Sequence, residues 1–245
     1  MSVALVSLAV LVGAVLQSAT GFGFALVTAP VMFAVLGPGD ALTILVLLAT
    51  LLSALVLLTE RRDVDIRWGD AIPLAAWGIP GLAAGILILR AVEKPVLQVA
   101  VGVAVVAAAS LELRGRPAAE GPPRRWPVAP VGVVAGTLAT TVGINGPPML
   151  MYLLRAGADQ HELRDTLSAT FLLYTPLVLA ALVAGGQLGL GDVGPAELTG
   201  LLAAVMVGRP LGRAVFERLD ATTFRTVGLA LALTAGVASV VAGLA

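Results

Sequence analysis

The sequence predicts an all-α polytopic membrane protein built from two inverted repeats. Hydrophobic residues make up 58% of the 245 residues, charged residues make up 12%, and the mean hydropathy is +0.99. A soluble domain is typically about 45–50% apolar and about 25% charged. Too little polar surface remains to cover a water-facing globule. Helices are predicted because they satisfy their backbone hydrogen bonds internally, which lipid cannot do for them.

Charge and composition exclude several classes of function. The formal net charge is zero, so no basic field attracts nucleic acid. The absence of cysteine excludes disulfides, iron–sulfur clusters, zinc–thiolate sites and cysteine nucleophiles. A single histidine excludes multi-histidine metal sites. We therefore expect no cofactor and no metal.

Six segments are ordinary candidates for membrane spans, which need roughly 20 apolar residues. Five of them carry no charge, whereas the fifth in chain order contains Arg209 and Arg213. The six are residues 41–58, 71–89, 95–111, 166–184, 198–216 and 227–245.

Two further apolar segments, 1–36 and 128–154, are too long for one straight crossing. Small and polar residues interrupt each of them, at 17–23 and at 140–148. Glycine and proline disfavour helix at these centres. Each segment is predicted to be two half-length helices, forming either one broken span or a hairpin that enters and leaves on the same side.

The distribution of Lys and Arg favours the hairpins. Eight full crossings would place eight basic residues on one side and seven on the other, whereas two hairpins give thirteen and two. Cytoplasmic loops are enriched in Lys and Arg. The second arrangement places 60–67, 114–125, 155–165 and 217–225 in the cytoplasm and both termini outside.

The chain divides at the polar linker 114–127 into two membrane repeats, 1–113 and 128–245. Each repeat has one hairpin and three crossings, so the second starts on the opposite side from the first. Inverted repeats of this kind are common in secondary transporters. Gly81-x-x-x-Gly85 in the first repeat has a counterpart in Gly208-x-x-x-Gly212 in the second.

The two interrupted centres predict a shared cavity near the membrane midplane, because non-helical backbone is tolerated there only when protein buries it or water reaches it. Half-helices that begin at such breaks present free N–H groups and a positive dipole end, which suit a small anion. Simple packing kinks are the competing interpretation. The candidate binding residues at the two centres are Gln17, Ser18, Thr20, Gly21, Gly23, Thr140, Thr141, Gly143, Asn145 and Gly146.

Arg209 is a further candidate for binding the anion. It stands eleven residues into its span, where an arginine is costly and usually faces a cavity. Its guanidinium suits a bidentate contact with an anion. The alternative is that it snorkels to the cytoplasmic interface, with Arg213 as an interfacial residue one turn further. Asp159 is predicted to cap the following helix, and no acidic residue is expected deep in a span.

Residues 17–30 and 143–153 resemble the two signature regions of the sulfite exporter TauE/SafE family, also called the 4-toluene sulfonate uptake permease family. The resemblance covers the whole chain. It implies a bacterial or archaeal cytoplasmic-membrane transporter for sulfite, sulfonates or related organosulfur anions. Phe24 and Asn145 stand where the commoner pattern has glycine, which predicts a pocket of different size and polarity.

The sequence therefore favours a secondary transporter that moves a small sulfur-containing anion by alternating access. Coupling to H+ or Na+ is left open, as is assembly into a homodimer in the lipid bilayer. A passive anion channel with the same paired half-helices is the alternative. An intramembrane enzyme is disfavoured, because the single histidine, His161, lies in a charged loop and no paired carboxylates are expected to be buried.

Overall fold

A computed structural model describes residues 3–59, 63–113, 127–190 and 193–218, and residues 230, 233–234, 236–241 and 243–244 beyond them. These described residues form helices and connecting loops, without a β-strand. The helices with defined bounds are α1 (Val3–Thr20), α2 (Phe24–Val35), α3 (Pro38–Leu58), α4 (Trp68–Ala91), α5 (Lys94–Leu113), α6 (Val128–Thr141), α7 (Gly146–Arg155), α8 (Gln160–Ala184) and α9 (Pro195–Arg218).

Three of these helices, α3, α4 and α8, are long and apolar enough to cross a membrane. They coincide with the predicted spans 41–58, 71–89 and 166–184. Helices α5 and α9 occupy the positions of two further predicted spans, although the apolar part of α5, Lys94–Ser110, is shorter. The predicted span 227–245 lies partly outside the described residues.

Both long apolar segments are broken as the sequence predicts. The first is interrupted at residues 21–23 and the second at residues 142–145, here called the first tip and the second tip. Gly21 and Gly23 have φ values of 84° and 106°, and Gly143 has a φ value of 74°. Glycine adopts this left-handed conformation at little cost, so it ends one helix and lets the next begin in a new direction.

Helix α6 lies parallel to α4, and α7 returns along the same route. Gly132 of α6 faces Leu74 near the start of α4, whereas Thr140 at the end of α6 faces Gly85. The Tyr152 hydroxyl of α7 then donates to the carboxylate of Asp70, in the first turn of α4. Both ends of the α6–α7 segment therefore lie near the same end of α4.

Helices α1 and α9 repeat this arrangement. Gly208 faces Ala14, and Gly212 faces Ser18 one turn further along both helices, so α1 and α9 are also parallel. After the first tip the chain folds back, and an ideal Cβ on Gly13 would lie 2.9 Å from the carbonyl oxygen of Phe24. The two predicted glycine pairs therefore play the same part in both halves. Gly208 and Gly212 contact α1, and Gly81 and Gly85 contact α6, the first helix or first arm of each broken segment.

Helices α3 and α8 cross the centre of the bundle in opposite directions. Gly39 at the start of α3 packs on the Gln187 backbone just after α8, and Thr50 contacts Thr175 at mid-length. Where α3 has ended, the Asp65 backbone N–H donates to Asp165 in the second turn of α8. We call the end of the bundle that holds residues 63–67 and 156–165 the basic end.

Two buried carboxylates stabilise the basic end. Asp165 is 1% exposed, and Asp70, which lies within α4 although it precedes the predicted span 71–89, is 2% exposed. Asp70 accepts from Tyr152 at 2.9 Å and pairs with the Arg67 guanidinium at 2.9 Å. Such partners are what a buried carboxylate requires. Nearby, Asp159 caps α8 through a capping box with Glu162, as predicted.

Candidate anion-binding site

The two tips meet at one central cavity of about 60 Å³. This volume has room for roughly four water molecules or one small polyatomic ion. The first tip contributes Phe22 and Gly23, and the second contributes Gly143, Ile144 and Asn145. The remaining lining comes from α1, α2, α3, α6, α7 and α8, through Gln17, Ala25, Leu26, Leu45, Val46, Ala49, Thr50, Ala139, Gly146, Pro147, Phe171, Tyr174, Thr175 and Val178.

Two helices begin at this cavity. Helix α2 follows Gly23 and α7 follows Asn145, and no side chain caps either N-terminus. A helix start carries unpaired N–H groups and partial positive charge, which together favour an anion. Pro147 and Pro148 lack an N–H, so α7 offers fewer backbone donors than α2.

A few polar side chains stand in an otherwise apolar wall. The Gln17 amide is 3% exposed and donates to the Ser53 hydroxyl at 3.3 Å. The hydroxyls of Thr50 and Thr175 are 2.6 Å apart. The Tyr174 hydroxyl instead donates to the backbone oxygens of Leu74 and Gly132, so it ties three helices together. A small ligand with several acceptor oxygens matches this set of donors better than an apolar one.

Five of the eleven residues predicted for the site lie together in the cavity lining, namely Gln17, Gly23, Gly143, Asn145 and Gly146. Thr50 was not predicted, because a single threonine in a charge-free span gives no signal until its partner in the other half is known. Ser53 was not predicted for the same reason, since only its contact with Gln17 connects it to the site.

Four other predicted residues are placed differently. The hydroxyl of Thr140 donates to the Leu82 carbonyl oxygen, and that of Thr141 to the Thr137 carbonyl oxygen. Gly21 packs against Arg164 on the far side of the first tip. Ser18 faces Gly212 of α9, away from the cavity. The side chain of Thr20 lies outside the described residues.

Arg209 is buried between α9 and α1, with 5% of its surface exposed. It stands between Gly208 and Gly212, the two glycines that contact α1, and it does not line the central cavity. The Arg209 side chain is therefore covered by protein, and its depth relative to the cytoplasmic interface stays a prediction. Arg213, one turn further, is half-buried.

The helical architecture, with its membrane-length apolar helices, defines a multi-pass membrane protein. The family model described as sulfite exporter TauE/SafE matches residues 5–239, nearly the whole chain. The chain belongs to this family, whose members are membrane transporters, so it is a transporter and not an enzyme. No curated protein and no solved structure matches it.

Proposed function

We propose that this protein is a secondary transporter that carries a small sulfur-containing anion, such as sulfite or an organosulfonate, across the cytoplasmic membrane by alternating access. The anion binds in the central cavity between the two tips. The observation that carries the proposal is that the uncapped starts of α2 and α7 line one small cavity. Family membership supports the substrate class.

Gln17, Gly23, Gly143, Asn145 and Gly146 form the binding site in this proposal. The left-handed glycines bring the backbone close to the ligand, and the amides of Gln17 and Asn145 offer N–H donors to its oxygens. The cavity volume of about 60 Å³ favours a compact ion over a bulky aromatic sulfonate.

The two halves act as inverted repeats, and their packing is reciprocal. The first arm of each broken segment, α1 or α6, lies against a glycine-bearing helix of the other half, α9 or α4. Each arm therefore moves with a helix of the opposite repeat. This supports a mechanism in which one such unit rocks against the other around a fixed central site. The position of both ends of the α6–α7 segment near the start of α4 supports hairpins over full crossings.

The basic end faces the cytoplasm in this proposal, and both termini face outward. Arg67, Arg155 and Arg164 all belong to this end. Lys and Arg concentrate in cytoplasmic loops. The predicted cytoplasmic segments 114–125 and 217–225 lie almost entirely outside the described residues.

The test is counterflow of radiolabelled sulfite into proteoliposomes that contain the full-length protein. Sulfate, isethionate, sulfoacetate and acetate serve as competitors, with and without H+ or Na+ gradients. We expect saturable uptake that Asn145→Ala weakens roughly tenfold by removing one polar contact. The matched control is Gln187→Ala, an amide removed far from the cavity. Competition by acetate as strong as that by unlabelled sulfite, or unchanged uptake by Asn145→Ala, would contradict the proposal.

A passive channel is the competing mechanism, and the same vesicles separate the two. A transporter coupled to an ion gradient accumulates sulfite above its external concentration, whereas a channel only equilibrates it. Accumulation that collapses when the gradient is dissipated supports the transporter.

A further inference from the structure

A second group of polar and basic side chains lies behind the first tip, outside the central cavity. Two serines and two arginines from three helices form it, and we call it the arginine cluster. Its members are Ser18 of α1, Arg209 of α9, and Arg164 of α8 together with Ser168, which stands one turn after Arg164 on the same helix. Gly21 connects the cluster to the first tip, because an ideal Cβ on this residue would lie 2.7 Å from the Arg164 side chain.

The cluster holds buried polar atoms that have no partner among the described residues. These are the Ser18 and Ser168 hydroxyls and the Nε and Nη2 atoms of Arg209. Ser18 is 2% exposed, Ser168 is fully buried and Arg209 is 5% exposed. Guanidinium nitrogens buried without a hydrogen-bond partner are strongly unfavourable, so this arrangement calls for a ligand that accepts hydrogen bonds.

The charge of the cluster points to an anion. Arg164 and Arg213 both act electrostatically on the Arg209 guanidinium. The Asp165 carboxylate lies 3.7 Å from Arg164 and also accepts from the Asp65 backbone N–H. The Arg209 guanidinium, whose Nε and Nη2 atoms have no hydrogen-bond partner among the described residues, therefore lies among like charges. An oxyanion would supply both the missing charge and the missing acceptors.

The other half of the protein shows that helix packing does not require this arginine. Gly85 faces Thr140 as Gly212 faces Ser18, so the two hydroxyls occupy matching positions. The residue that follows the first glycine of each pair is Leu82 in one half and Arg209 in the other. The Thr140 hydroxyl donates to the Leu82 carbonyl oxygen at 3.0 Å. Its counterpart on Ser18 has no partner among the described residues, and Arg209 stands one turn before the glycine that Ser18 contacts.

We infer that the arginine cluster is a second binding site for a small oxyanion, in series with the central cavity and on the side of the basic end. The inference rests on the proposed function, because it assumes the same substrate. Neighbouring residues of one segment serve the two sites, since Gln17 lines the cavity while Ser18 belongs to the cluster. Movement of the first tip would pass the ion from one site to the other. The near-complete burial of Arg209 and Ser168 leaves no room for a lipid headgroup with its chains.

The test is equilibrium dialysis of radiolabelled sulfite against the purified full-length protein in detergent. At a sulfite concentration just sufficient to fill both sites of the unmodified protein, we expect two bound ions per chain, and close to one after Arg209→Leu or Asn145→Ala, because each variant weakens one site roughly tenfold. Arg209→Leu introduces the residue that the other half has at the matching position, Leu82, so we expect this variant to fold. Ser168→Ala should weaken one of the two sites roughly fivefold by removing a single donor. The matched control, Arg90→Leu on exposed α4 surface, should keep two sites.

Transport gives an independent readout. In oriented vesicles, Arg209→Leu should raise the half-saturating sulfite concentration at the basic end roughly tenfold, because a charge-assisted contact is lost. The half-saturating sulfite concentration measured from the opposite end should stay within about twofold of that of the unmodified protein, since the central site is intact. Arg209→Lys should recover part of the loss, because it restores charge without the planar fork.

The outcomes separate this inference from the proposed function. Two sites in Arg209→Leu, or displacement of one sulfite by phosphatidylglycerol, would overturn the second site and leave the transporter proposal standing. A single site in the unmodified protein, lost in both Arg209→Leu and Asn145→Ala, would also overturn it. No sulfite binding to the unmodified protein would overturn both.

Discussion

The hydroxyls of Thr50 and Thr175 lie 2.6 Å apart at the point where α3 and α8 cross beside the central cavity. Each hydroxyl also lies within hydrogen-bond distance of the carbonyl oxygen four residues earlier, that of Val46 or Phe171. Two protons cannot serve these three contacts at once. One of the three contacts is therefore always without a proton, and an acceptor in the cavity would compete with these oxygens for one of the two protons.

Replacement of this pair should impair substrate binding. We expect Thr50→Val and Thr175→Val each to raise the half-saturating sulfite concentration about fivefold, because each removes one donor from the cavity wall. Proteoliposome uptake measures the effect. The matched control is Thr199→Val, since Thr199 makes the same contact with a preceding carbonyl on exposed helix surface. Wild-type uptake in the double variant would remove the pair from the site.

The second tip should not tolerate a side chain at Gly143. Its φ of 74° costs a non-glycine residue about 1–2 kcal/mol, and an added Cβ would lie 3.2 Å from Leu42 and Leu45. Gly186, with a φ of 64° and nothing within 4 Å, provides a control with the same backbone cost but no contact. We expect both Gly143→Ala and Gly186→Ala to lower the melting temperature, and only Gly143→Ala to reduce uptake more than about tenfold.

Comparable uptake in the two alanine variants would show that the shape of the second tip does not control binding. The melting temperatures are measured on the same detergent samples, so a loss of folded protein is recognised separately from a loss of transport.

The carboxylate of Asp70 should contribute strongly to stability. Asp70→Ala removes the partner of the Arg67 guanidinium and of the Tyr152 hydroxyl, which should cost about 3 kcal/mol. Tyr152→Phe removes one hydrogen bond and should cost about 1 kcal/mol. Thermal unfolding in detergent checks the order of the two effects. Asp63→Ala, at an exposed position, is the control, and an equal loss in all three variants would refute the assignment.

The absence of cysteine allows the topology to be tested with single introduced thiols. Pro127→Cys and His161→Cys flank the α6–α7 segment, and both should react with a membrane-impermeant maleimide only after the cells are permeabilised. Leu188→Cys should react in intact cells, because it lies beyond the opposite end of α8. Labelling of Pro127→Cys and His161→Cys from opposite sides would mean that the segment crosses the membrane.

Local chemistry made the broken segments predictable. Glycines at 21, 23 and 143 lie within long apolar runs, and only a helix break explains them there. The observed helices differ in detail from the predicted interruption at 17–23, because α1 continues to Thr20. Pro30 lies within α2 and does not end it. Proline is accommodated there because neighbouring helices pack around it. The buried Asp70 escaped prediction, since its partners Arg67 and Tyr152 come from both sides of the central linker.

The sequence by itself determined the helical class, the two interruptions and the family, because composition and glycine placement are local properties of the chain. Only the tertiary structure decided which side chains meet. It put Gln17 and Asn145 on one cavity, and it put Ser18 and Arg209 together behind the first tip. The physical reason is that neighbouring helical residues point in different directions, so the packing partners of α1 assign Gln17 and Ser18 to different sites.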